Sequence, residues 1–153
     1  MNKTSVTAVT LALVATLAAC GPTKDDASRA LSPMPSNVPA LPTYKTADAV
    51  MKAMGAAGLE CELLRRARAN FGSGLDCVTE IEGVKVENEI HVLDPHRFSR
   101  NDMGDSIAGR REAPYNHTIV AAGNWYVWVR YADFAPRVAE ALKGVVLKPV
   151  APA

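Results

Sequence analysis

Residues 75–93 read "LDCVTEIEGVKVENEIHVL", and the two-residue rhythm of this stretch decides the fold class. Val84, Val86, Ile90 and Val92 fall on one side of the repeat; Lys85, Glu87, Glu89 and His91 fall on the other. Successive side chains of a strand point to opposite faces, so the pattern predicts β structure with one apolar face. Gly83 marks the bend between two arms, which makes the stretch a hairpin. "HTIVAAGNWYVWVRY", residues 117–131, repeats the pattern with Gly123-Asn124 as its turn.

Helical spacing surrounds these hairpins. "TADAVMKAMGAAG" (46–58) offers Thr46 as an N-cap, Val50, Met51 and Met54 on one face, and Gly58 as a left-handed stop. "LECELLRRARANF" (59–71) admits two readings: Leu63, Leu64, Ala67 and Phe71 share a helical face, yet Leu59–Leu63 also suits the start of a strand. "DPHRFSRNDMGDSIAG" (94–109) places Asp94 as a cap, Pro95 at a first helical position, and Phe98 and Ile107 as apolar anchors. Gly104 works against that helix. "DFAPRVAEALKG" (133–144) is a short amphipathic helix with Asp133 as cap, Phe134, Val138, Ala141 and Leu142 inward, and Gly144 as stop. The order helix, hairpin, helix, hairpin, helix predicts an α+β domain: a small antiparallel sheet of hairpins with helices packed on one face.

The chain has 153 residues, room for one domain with a leader and a tether. Residues 1–19 carry Lys3 as their sole charge, and Thr4 to Ala19 forms an uncharged run of 16 residues diluted by threonine and serine. A membrane-spanning helix needs about 20 mostly apolar residues, so an export signal is the better reading. Leu17-Ala18-Ala19-Cys20 resembles the lipobox of bacterial lipoproteins: Leu at −3, small residues at −2 and −1, and Cys at +1. The resemblance covers about the first 20 residues. It implies a diacylglycerol on the Cys20 sulfur, with acyl chains such as palmitate, and cleavage between Ala19 and Cys20. Two acyl chains hold a protein to a bilayer where one is marginal. The expected address is the cell membrane, lipid-anchored and facing away from the cytoplasm. "GPTKDDASRALSPMPSNVPALPT" (21–43) holds Pro22, Pro33, Pro35, Pro39 and Pro42, each removing a backbone donor. It reads as a tether. The expected organisation is thus a signal peptide at 1–19, lipidated Cys and tether at 20–43, the α+β domain at 44–148 and a tail at 149–153.

With Cys20 modified, Cys61 and Cys77 remain as an even pair in an exported domain, where disulfides persist. No C-x-x-C and no zinc-like His spacing competes, so a disulfide is expected between them. The middle of the chain also resembles a loosely defined group of small, uncharacterised lipoproteins of high-GC Gram-positive bacteria. They share a leading helix, a Cys pair, a strand pair and a turn like Gly123-Asn124-Trp125 before a closing helix. The group implies no catalytic residue.

The chain carries 17 basic and 16 acidic residues, and loss of Lys3 leaves sixteen of each sign. A neutral domain lacks the field that nucleic acid requires. In "WYVWVRY", Trp125, Val127, Val129 and Tyr131 belong on the core face; Tyr126, Trp128 and Arg130 share the other face with Lys85, Glu87, Glu89 and His91. Left open, those aromatics form a platform for sugar rings, peptide or a partner protein of the envelope. Covered by the tether or by residues 65–71, they are ordinary packing residues. The arginines at 65, 66, 68, 97, 100, 110 and 111 suit either an anionic surface or a solvated face. His91, His96 and His117 follow no metal-ligand spacing, Glu80 and Glu82 are an ordinary carboxylate pair, and no nucleophile or phosphate motif appears. No cofactor and no metal is expected.

The leading expectation is a membrane-anchored binding or interaction module of the envelope. Its rivals are a prophage lipoprotein that excludes other phages, and an envelope-modifying hydrolase. The hydrolase predicts perturbed titratable groups converging in a cleft; the binding module predicts an aromatic surface.

Overall fold

A computed structural model describes residues 31–67 and 71–151. Cys20, the leader, Arg68 and the first part of the tether lie outside the described residues. The 75–93 hairpin forms as its alternation requires: β2 (Gly72–Ile81) and β3 (Val84–Leu93) pair antiparallel from Gly72↔Leu93 to Ile81↔Val84. Glu82 (φ 54°) and Gly83 (φ 79°) make the connection. Two successive residues at positive φ are the signature of the hairpin turn that matches strand twist. The 117–131 stretch gives β4 (Ile119–Ala122) and β5 (Trp125–Val129), with Gly123 at φ 50° opening their two-residue turn.

The ambiguous segment after the first helix is a strand. β1 (Cys61–Ala67) pairs with β2, and a bulge lies between Leu63 and Arg65. β6 (Val145–Leu147) pairs with β4 at the opposite edge. The result is one six-stranded sheet in the order β1-β2-β3-β5-β4-β6, antiparallel at every pairing. With three α-helices against it, the domain is α+β.

The helices do not all share one face. α1 (Ala47–Ala56) and α3 (Ala135–Leu142) cover one side, where Val50, Met54, Val138 and Leu142 meet Leu75, Ile90, Trp125 and Val127. α2 (Arg100–Arg111) covers the other through Met103 and Ile107, which meet Ile119, Ala121 and Tyr126. Both faces of β4 and β5 are apolar, so each needs a cover. Thr46 caps α1, accepting from the Ala49 N–H. α2 starts later than Asp94 and Pro95 suggest. Ser99 and Asp102 form a reciprocal capping box, while Asp94 closes the preceding turn by accepting from the N–H groups of Arg97 and Phe98. Asp133 makes no cap either: it sits in a 3-10 turn, Ala132–Phe134, and Pro136 falls in the first turn of α3. Tyr131 is 47% exposed rather than in the core, because β5 ends at Val129 and the chain turns away.

Cys61 and Cys77 form a disulfide with Cα atoms 5.5 Å apart. It joins the edge strand to β2 over a buried polar group. Thr79 Oγ1 donates to Cys61 Sγ at 3.0 Å, and Asn88 Nδ2 donates to Thr79 Oγ1 at 3.1 Å.

The proline-rich stretch from Leu31 to Thr43, expected to be spacer, lies against the domain. Val38 is buried, the carbonyl of Pro39 accepts from the Gly123 N–H, and that of Pro42 accepts from the Trp125 indole at 2.8 Å. Arg100 donates to the carbonyls of Val38 and Gly123. Gly104 explains its own presence in α2: a Cβ there would stand 2.5 Å from the Ser32 carbonyl oxygen and 2.6 Å from the Met34 nitrogen. The glycine that argues against a helix is what lets this strap cross it.

Candidate functional site

Alternation along β5 sends Tyr126, Trp128 and Arg130 to the α2 side, and the register with β3 sets their neighbours. His91 lies opposite Tyr126 and Glu89 opposite Trp128; Glu87 pairs with Arg130. The face expected to present aromatics is divided by α2, a cover that neither the tether nor residues 65–71 supplies alone. Tyr126 is 3% exposed. Its hydroxyl lies 2.8 Å from Ser106 Oγ, its ring stacks on His91 at 4.7 Å, and the Arg110 guanidinium sits 5.7 Å from the ring centroid. Tyr126 and His91 are therefore packing residues and do not form a platform. Lys85 and Glu87 lie beyond α2 toward the hairpin tip. Trp128 and Arg130 are left at the border.

Under α2 the polar groups are tied to one another. Arg110 donates to both oxygens of Glu89, at 2.7 and 3.2 Å, and His91 Nε2 lies 2.6 Å from Glu89 Oε1. Burial opposes ionisation of Glu89, yet the bonds to His91 and Arg110 outweigh it and pull its carboxyl down to about 2. Burial likewise works against the charge on Arg110, but Glu89 more than offsets it and holds the guanidinium up. Burial raises the Tyr126 phenol. This is a clamp that fastens a helix to a sheet through charge-assisted hydrogen bonds.

An open cleft begins where α2 ends. The loop after α2 is held by the N–H groups of Tyr115 and Asn116 donating to the Glu112 carbonyl, and by the His117 N–H donating to that of Arg110. The loop stacks the His117 ring on Trp128, with centroids 4.4 Å apart and planes 21° apart, and leans Tyr115 over His117 at 5.6 Å. Arg130, Asp133, Pro136 and Lys148 complete a cleft of about 800 Å³, within the range of small-molecule sites. Burial first, then the positive charge of Arg110, lowers the His117 imidazole, so the ring stands neutral beside the indole at neutral pH.

Only Trp128 and Arg130 of the expected face reach this cleft. Tyr115, His117, Asp133 and Lys148 come from three other segments. The one trace of them in the sequence is an aromatic and a histidine just ahead of a strand that pairs with a Trp-bearing one. His91, His96 and His117 do not converge, and among the described residues no group of three His, Cys, Asp or Glu side chains is placed to hold a metal. No helix among the described residues is long and apolar enough to cross a membrane. No protein-family model matches the chain, nor does any curated protein or solved structure.

Proposed function

We propose that this chain is an exported lipoprotein, moored to the membrane through Cys20, whose domain binds a ligand of the cell envelope in the cleft beside Trp128. One observation carries the binding reading. Glu89, whose carboxyl is pulled furthest from its ordinary range, is tied to Arg110 and His91 beneath α2, while the open cleft is lined by stacked rings and surface charges. A hydrolase needs the reverse arrangement, with a tuned acid and base facing the substrate. The Cys61–Cys77 disulfide supports an oxidising compartment, and Leu17-Ala18-Ala19-Cys20 supports the anchor.

The strap sharpens the picture of the tether. Eleven residues, 21–31, separate Cys20 from Ser32, whose N–H donates to Asp105 of α2. At about 3.3–3.6 Å per residue their full reach is roughly 40 Å, so the domain stays close to the bilayer. Cell fractionation of a Cys20→Ser variant tests the proposal. The wild-type chain is expected in the detergent-extracted membrane fraction and the variant in soluble or uncleaved form; membrane extraction unchanged by the substitution would refute the anchor.

A further inference from the structure

We infer that the α2 side of the domain lies against the bilayer, with Leu31 and Leu41 of the strap, and Tyr115 and Val150 beside the end of the helix, set into the headgroup region of zwitterionic lipid. The inference rests on the proposed anchor at Cys20 and adds an orientation to it.

The strap leaves the domain at the middle of α2. The Ser32 N–H donates to Asp105 Oδ1 at 3.2 Å, and the Ser32 carbonyl crosses the helix over Gly104. From there the eleven residues 21–31 lead back to Cys20, with a full reach of roughly 40 Å. A compact domain of about 120 residues is roughly 35 Å across. With the α1 and α3 side on the lipid, the chain would have to run over the flank and down the side of the domain, roughly 45 Å. That path is about as long as the chain drawn out straight. With α2 toward the lipid no detour is needed.

The two sides of the sheet also differ in surface chemistry. Leu41 is 69% exposed, Tyr115 63%, Leu31 46% and Val150 44%. All four sit beside α2. Leu31 precedes Ser32 at its middle. Leu41 lies between Pro39 and Pro42, where the strap meets Gly123, and Arg100 in the first turn of α2 donates to the Gly123 carbonyl. At the other end, the Tyr115 N–H donates to the Glu112 carbonyl and the Val150 N–H to that of Arg111. The row follows a helix of 12 residues, about 18 Å long. Among the described residues, no large exposed apolar side chain lies in α1 or α3; outward positions there hold Lys52, Arg137 and Glu140. Single exposed apolar side chains are ordinary. Four along one helix and none on the two opposite mark a side.

Charge sets the lipid class. Residues 94–112 carry four arginines against four acids, so this side has no strong field to seek anionic lipid. The contact rests on apolar groups, and on a tyrosine whose ring and hydroxyl suit headgroup depth.

The test places the acylated protein, purified from membranes, in phosphatidylcholine bilayers that contain a lipid with a nitroxide at the headgroup. Flotation with the lipid reads the anchor; nuclear magnetic resonance line broadening reads the orientation. The methyl signals of Leu31, Leu41 and Val150 are expected to broaden, while the amides of Lys52 and Arg137 stay sharp. Replacing both leucines, Leu31→Ser with Leu41→Ser, should leave flotation and melting temperature unchanged and reduce the broadening at Val150 by about tenfold. Raised salt should change little. Equal broadening on both sides, broadening centred on α1 and α3, or a double variant that behaves as wild type overturns the inference and leaves the anchor standing. Broadening that appears only with anionic lipid overturns the zwitterionic contact. A wild-type chain that carries no acyl group and does not float overturns the anchor and the orientation together.

Discussion

Glu89 fastens α2 to the sheet through Arg110. Its carboxylate takes both arms of Arg110 and the His91 ring at once, and its pKa of about 2 stands below the 4.5 of an unstrained glutamate. A depressed carboxylate pKa means that the unfolded chain binds the proton more readily. The stabilisation is therefore fully present above about pH 4.5 and is lost as pH falls toward 2. Acid titration of unfolding should show a loss of about 3 kcal/mol across that window. Glu89→Gln should flatten it and lower stability at neutral pH; a variant with the wild-type acid profile would contradict the clamp. The two aromatics of the same strand should part company. Tyr126→Ala, buried, should cost about 3–5 kcal/mol; Trp128→Ala, half-buried at the edge of the same cluster and stacked on His117, should cost less, about 1–2 kcal/mol. Denaturant unfolding separates them, and equal losses would mean that the cleft side of Trp128 is core.

At the scale of elements, the hairpins were legible and the covers were not. Val86, Ile90 and Val92 announce β3 because a strand buried on one face must alternate, and Gly83 sits where the turn needs positive φ. The cover over Tyr126 escapes such reading because α2 brings few large apolar groups. It holds the sheet through Ser106 and Arg110 as much as through Met103 and Ile107. The strap escapes it for another reason. Prolines forbid ladder bonding by their own nitrogens, yet their carbonyls still accept, and those of Pro39 and Pro42 receive Gly123 and Trp125. Gly104→Val therefore tests the strap directly. It should expose the 31–43 segment to proteolysis and lower the melting temperature; unchanged protection would show that the strap does not need the glycine. The disulfide ties down the edge strand β1, whose outward side is largely solvent-exposed. Replacing Cys61 and Cys77 together by Ala should cost about 3 kcal/mol for a loop of this size, read by denaturant unfolding.

For the whole molecule, the cleft could be found only after folding, because Tyr115, His117, Trp128, Asp133 and Lys148 are gathered from the loop before β4, from β5, from the 3-10 turn after it and from the residue following β6. The proposed anchor is the opposite case: Leu17-Ala18-Ala19-Cys20 is contiguous and read without structure. The proposed location and the proposed binding thus rest on separate grounds. The intact mass of the protein purified from its native membrane tests the central claim most directly. The account predicts a chain that begins at Cys20, heavier by a diacylglyceryl group and lighter by the two hydrogens of one disulfide. An unacylated chain beginning at any other residue would contradict it.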